Sequence, residues 1–163
     1  MSLDLKKLYF RMSFRLNKVT PDEFGLVESG TDTYLYIDKI DGSIWKKKTL
    51  YDFGWGNEYG FMRLPELSFD EAWNMLTSSD IQENQYGAAS LIDEKYSENL
   101  LEKIESIFST PNFQINERLR NAFKILDLEA GRNRSETQGK SYKEVIDNFN
   151  RWKNISEKVK AFS

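Results

Sequence analysis

The chain of 163 residues contains no histidine and no cysteine. Without a thiol there is neither a cysteine nucleophile nor a disulfide, and without an imidazole there is no side chain that exchanges protons near neutral pH. The commonest ligands of zinc and iron go with them. Carboxylates, lysines, tyrosines and hydroxyls remain, and no spacing among them demands a reaction. Proline is scarce, with three in all, and polar stretches without an apolar residue are short, the clearest being 132–139. Such a composition describes a globular chain, not a disordered one. No continuous apolar run occurs among the first ten residues, which include Asp4, Lys6 and Lys7. Neither a secretory signal nor a membrane span is therefore expected, and a cytoplasmic location is.

With 23 basic and 26 acidic residues the net charge is −3, which argues against general nucleic-acid binding through many phosphate contacts. Trp45-Lys46-Lys47-Lys48 pairs an aromatic with three cations. In a strand, alternation splits Lys46 and Lys48 from Lys47, so the run reads as a charged strand that guards against edge-to-edge pairing.

The order of elements predicts an α+β domain over residues 1–163, β-rich over 1–65 and helical over 66–163. Leu8, Phe10, Met12, Phe14 and Leu16 alternate with polar residues, a period of two that places them on one face of a strand. Thr20-Pro21-Asp22-Glu23 reads as a turn, followed by a short run at Leu26 and Val27. Residues 33–40 and 43–50 are rich in β-branched and aromatic side chains and are separated by Asp41-Gly42, which predicts a two-residue hairpin with positive φ at both positions. About four antiparallel strands result, forming a meander.

From Ser68 the period changes to that of helices. Ser68-Phe69-Asp70-Glu71 and Ser141-Tyr142-Lys143-Glu144 are capping boxes. Asp80 and Ser97 are candidate caps of two helices between them, and Ile115, Leu119, Ala122, Phe123 and Leu126 mark another, giving about five. Gly87, Ala88 and Ala89 would let a neighbour approach closely. The last helix carries Tyr142, Val145, Phe149, Trp152, Ile155, Val159 and Phe162 inward at a spacing near 3.5. The polar stretch 132–139 before it reads as a mobile loop.

Tyr86-Gly87-Ala88-Ala89-Ser90-Leu91-Ile92 and Arg118-Leu119-Arg120-Asn121-Ala122-Phe123-Lys124-Ile125-Leu126 are similar to HEAT-type repeat helices. That resemblance implies consecutive helix hairpins. A small acidic α+β chain without histidine or cysteine also looks like the bacterial immunity proteins, which neutralise partner toxins; this likeness is one of makeup and implies inhibition of a partner protein.

Two candidate binding sets emerge. Between residues 66 and 110, ten acidic residues against two lysines give −8, so the remainder of the chain carries about +5. Glu98, Glu102 and Glu105 fall at i, i+4 and i+7 of one helix, with Glu94 preceding them. They read either as a solvated helix face or as a surface for a basic partner. The second set is Trp55, Tyr59 and Phe61, in a glycine-rich stretch whose G-x-G-x-x-x-G spacing is no dinucleotide fingerprint. It reads as a connection from sheet to helices or as an aromatic recognition surface.

The expectation is a non-catalytic protein-binding module, of immunity or antitoxin type, with no cofactor, no metal, no nucleic acid and no membrane. The alternative is a small carboxylate hydrolase, carbohydrate-active or magnesium-dependent, drawing on Asp38, Asp41, Asp52, Glu58 or Glu66.

Overall fold

Both capping boxes form. Ser68 Oγ accepts from the Glu71 amide at 3.2 Å while the Glu71 carboxylate accepts from the Ser68 amide at 2.8 Å. Ser141 and Glu144 repeat the exchange at 3.3 and 2.9 Å. Each box satisfies two amides at a helix start. The computed structural model describes residues 3–12, 20–30, 33–52 and 56–162, with the backbone alone for 51, 52 and 56–59. It shows an α+β fold.

Five strands, β1 (Phe10–Met12), β2 (Leu26–Glu28), β3 (Leu35–Asp38), β4 (Ile44–Asp52) and β5 (Gly56–Arg63), form one antiparallel sheet in the order β1-β5-β4-β3-β2. The sequence predicts four. The fifth, β5, occupies much of the glycine-rich stretch read as a connection. It pairs with β4 from Trp45↔Arg63 to Asp52↔Gly56, so long-range pairing overrides the poor strand propensity of glycine. β1 covers the middle of the first predicted strand; Phe14 and Leu16 lie outside the described residues.

The β3–β4 connection also differs from expectation. β3 ends at Asp38 and β4 starts at Ile44, so five residues turn the chain. Gly42 has φ +71°, whereas Asp41 is not among the positive-φ residues. Asp38 Oδ1 accepts from the Ile40 amide at 2.7 Å and Asp41 Oδ1 from the Ser43 amide at 2.8 Å. These side chains supply acceptors that a tighter turn would take from the backbone.

The helices are α1 (Phe69–Ser78), α2 (Gln82–Lys95), α3 (Ser97–Phe108), α4 (Glu117–Ile125) and α5 (Tyr142–Lys160). The two segments similar to HEAT-type repeat helices fall largely in α2 and α4. α3 lacks the predicted serine cap: Ser97 is its first residue, the cap position is Tyr96, and no side-chain cap bond forms there. α4 is capped by Asn116, which accepts from the Leu119 amide at 2.8 Å. By its contacts the chain divides into two compact units, Met1–Leu91 and Ile92–Ser163, so the division falls within α2 and not where strands give way to helices.

In the first unit, Leu26, Tyr36, Trp45 and Phe61 cluster on one face of the sheet, with Leu8 and Phe24 packed against them. Full burial of each large side chain contributes roughly 1.5–3 kcal/mol. Leu8 precedes β1 and joins this cluster. Phe10 meets α2 instead. A Cβ added at Gly87 would lie 2.1 Å from the Phe10 ring, so only glycine permits the approach. The edge of β1 is closed by α2 as well. Asn84 Oδ1 accepts from the Tyr9 and Phe10 amides at 2.8 and 3.3 Å, and its Nδ2 donates to the Lys7 carbonyl at 2.8 Å. Glu83 takes the Met12 amide at 2.9 Å. Backbone groups that an edge strand would leave unpaired are thereby satisfied.

In the second unit the buried residues include Leu100, Leu101 and Ile104 of α3, Ala122, Phe123 and Ile125 of α4, and Trp152, Ile155 and Val159 of α5. Tyr142 and Phe149, predicted to point inward, are exposed; Asn148 takes the buried position beside Phe149. Nor is 132–139 a free loop. Arg134 and Ser135 are buried. The Arg134 guanidinium donates to Asp93 Oδ1 at 2.8 Å and to the carbonyls of Asp127, at 2.7 Å, and Leu126. It also lies 5.7 Å from the Trp152 ring, whose Nε1–H donates to Ser135 Oγ at 3.0 Å. Burial pulls the Arg134 pKa down to about 10, opposed mainly by the Asp93 charge, so the group stays cationic at neutral pH.

Candidate functional site

The acidic stripe sits on α3 as predicted, but it is not bare. Lys140 donates to Glu98, and Arg151 grips the Glu105 carboxylate through Nε at 3.0 Å and through Nη2. Hydrogen bonding to Glu105 holds the Arg151 pKa above its ordinary value. Glu102 and Glu94 are exposed. Two of the three stripe carboxylates thus meet bases of their own chain, brought back along α3 by α5 and by Lys140, two residues before its start. Such exposed pairs add only about 0–1 kcal/mol each, but they neutralise the field that would steer a basic partner.

The aromatic set is dispersed in kind. Phe61 is fully buried, edge-on to Tyr36 at 5.2 Å between centroids and 6.3 Å from Phe24. It is a core residue of the sheet and offers no surface to a partner. Tyr59 has its backbone in β5 opposite Thr49, and Trp55 lies outside the described residues.

Among the hydrolase candidates, Asp38 and Asp41 line one cavity of about 250 Å³ together with Lys7, Arg11, Arg63 and Trp45. Asp41 accepts from the Ser43 hydroxyl at 2.5 Å and from Arg63 Nη2 at 3.2 Å. Hydrogen bonds from Ser43, with Arg63 nearby, hold its carboxyl below the usual carboxylate range. The Arg63 guanidinium in turn stands 5.0 Å from the Trp45 ring centroid. A carboxylate kept ionised by fixed donors is suited to holding a turn and poorly matched to moving a proton at neutral pH. The side chains of Asp52 and Glu58 lie outside those described, and Glu66 borders a different cavity. Among the described residues no group of three or more acidic side chains could hold a metal, and no helix is long and apolar enough to cross a membrane.

A surface that sequence reasoning passed over lies on the other face of the sheet. Val27 pairs with Ile37, and Ile37 with Ile44, so three β-branched side chains stand in a row across β2, β3 and β4. All are exposed, Ile44 at 46%, and Ile40 at the hairpin tip is 92% exposed. Their neighbours in sequence, Leu26, Tyr36 and Trp45, are buried on the opposite face, as the two-residue period requires. No protein-family model, curated protein or solved structure matches the chain.

The row has a cationic border. Lys46 is exposed on the same side as Ile44, opposite Leu35 in register, Lys48 follows two residues on, and Lys39 adjoins Ile40. The nearby acids Glu28 and Asp38 alternate onto the buried-cluster face. The signal was present in the sequence as Val27, Ile37, Ile40 and Ile44. It could not be separated from core residues until the register was known.

Proposed function

We propose that the protein is a non-catalytic protein-binding module whose docking face is the exposed Val27–Ile37–Ile44 row with Ile40. One observation carries this reading. Cross-strand register lines up exposed β-branched side chains at the β2–β3–β4 end of a sheet face whose other end, at Phe10, Met62 and Leu50, is buried. A contiguous exposed apolar patch costs solubility and marks interaction surfaces. The bordering lysines commit the partner to a protein with an apolar patch ringed by carboxylates, the reverse of the basic partner suggested by the α3 stripe. Inhibition of a partner toxin, in the manner of the immunity proteins that the chain resembles in makeup, is the finer form of the proposal.

The test is site-specific photo-crosslinking in the native cell, with the reactive group at Ile37 or Ile44 and, as control, at Ile146 on α5. Expected is one shared adduct from positions 37 and 44, absent at 146. It should be lost in Lys46→Glu and retained in Glu98→Gln/Glu102→Gln/Glu105→Gln. An adduct that survives Lys46→Glu but disappears in the triple variant would transfer the role to α3. No adduct, or only a dimer of the chain itself, would overturn the proposal.

A further inference from the structure

The second unit contains a cavity of about 180 Å³ beside α4, α5 and the 3₁₀ turn Leu128–Ala130. Its apolar wall is formed by Ile115, Phe123, Leu128, Val159 and Phe162. The wall is held in place by its surroundings. Phe123, Leu128 and Val159 are buried, and the Phe162 ring stacks on Phe108 at 5.8 Å and meets Phe113 edge-on at 5.8 Å. Preformed, mostly apolar concavities with a few polar groups are the usual form of small-molecule sites.

The polar side of the cavity carries two cations, Arg120 and Lys124, and two carboxylates, Asp127 and Glu129. Arg120 and Lys124 both line it, one helical turn apart on α4. Arg120 Nε is buried and, among the described residues, is the buried side-chain nitrogen or oxygen without a hydrogen-bond partner. A buried donor of this kind calls for an acceptor, and a charged donor favours an anionic one. Asp127 and Glu129 also border the space, yet neither carboxylate bonds Arg120 Nε. The Asp127 charge acts on Arg134, and the backbone carbonyls of Asp127 and Glu129 accept from Arg134 and, at 2.7 Å, from Ser156 Oγ.

We propose that this cavity binds a small molecule made of one apolar ring or short branched chain bearing a carboxylate. The apolar part sits among Phe123, Val159 and Phe162, and the carboxylate accepts from Arg120, with Lys124 adding charge. Size sets the class. An apolar protein cavity of about 150 Å³ takes one benzene ring, so 180 Å³ accommodates a single ring and a short acidic arm, and a long acyl chain exceeds it. This site is independent of the docking face on the sheet.

Three probes of nearly equal shape test the assignment on the full chain: phenylacetate, phenylacetamide and phenethylammonium. Methyl resonances of Ile115, Leu128 and Val159 report binding. Phenylacetate should shift them saturably, with phenylacetamide weaker by about tenfold or more and phenethylammonium weaker still. Arg120→Met should remove the preference for the carboxylate and leave the amide's affinity unchanged. Should that variant fail to fold, the ranking of the three probes on the wild-type chain decides alone. Equal binding of carboxylate and amide, tighter binding of the ammonium, or no shift at these methyls up to the solubility of phenylacetate would each overturn the proposal.

Discussion

Arg134 Nη1 lies 2.8 Å from Asp93 Oδ1 across 41 residues of chain, and the pair is nearly sealed from water, with side-chain exposures of 2% and 11%. Removing one partner leaves a buried cation whose other acceptors are neutral carbonyls. Asp93→Asn should therefore cost on the order of 3 kcal/mol in urea denaturation. Because Arg134 is buried, trypsin should cut after it slowly in the wild type and faster in the variant. A loss below about 0.5 kcal/mol with unchanged digestion would mean that the pair anchors nothing.

Gly87→Ala reverses a common expectation. In an exposed helix interior this change stabilises by about 1 kcal/mol, but here the new methyl would collide with Phe10. The single substitution should destabilise by roughly 1–3 kcal/mol through overpacking. Adding Phe10→Leu should cost less than it does alone, because the smaller side chain gives way. Strict additivity in the double-mutant cycle would refute the contact.

At Gly42 space is not the constraint, since a Cβ there would meet nothing within 4 Å. The constraint is its φ of +71°. Gly42→Asn should be tolerated better than Gly42→Val, which should cost about 1–3 kcal/mol of backbone strain. Thermal melts of the three proteins should rank Gly, Asn, Val in falling order. Equal melting temperatures for Asn and Val would contradict the left-handed turn.

What the sequence reveals here is what local chemistry decides. Both capping boxes and the positive φ of Gly42 are legible because each depends on neighbours a few residues away; at Gly87 the small residue is legible, but its distant partner Phe10 is not. β5 is hidden because its partner is β4, and Phe61 reads as a surface residue for the same reason. The polar stretch 132–139 misled through composition: Arg134 is buried by acceptors 7, 8 and 41 residues distant. Glu98 and Glu105 were readable as a stripe, but not as the partners of Lys140 and Arg151.

The hydrogen bonds that Asn84 makes to Tyr9 and Phe10 impose an order on biosynthesis. β1 leaves the ribosome well before β5, its strand partner, and Asn84 follows Tyr9 by 75 residues. At roughly 5–20 residues per second, β1 waits several seconds for the side chain that closes its outer edge. Until α2 emerges, the nascent chain carries an incomplete sheet with an open border. A ribosome stalled where β5 has emerged and α2 has not would display that border to chaperones, and one stalled far enough beyond residue 95 to free α2 would not.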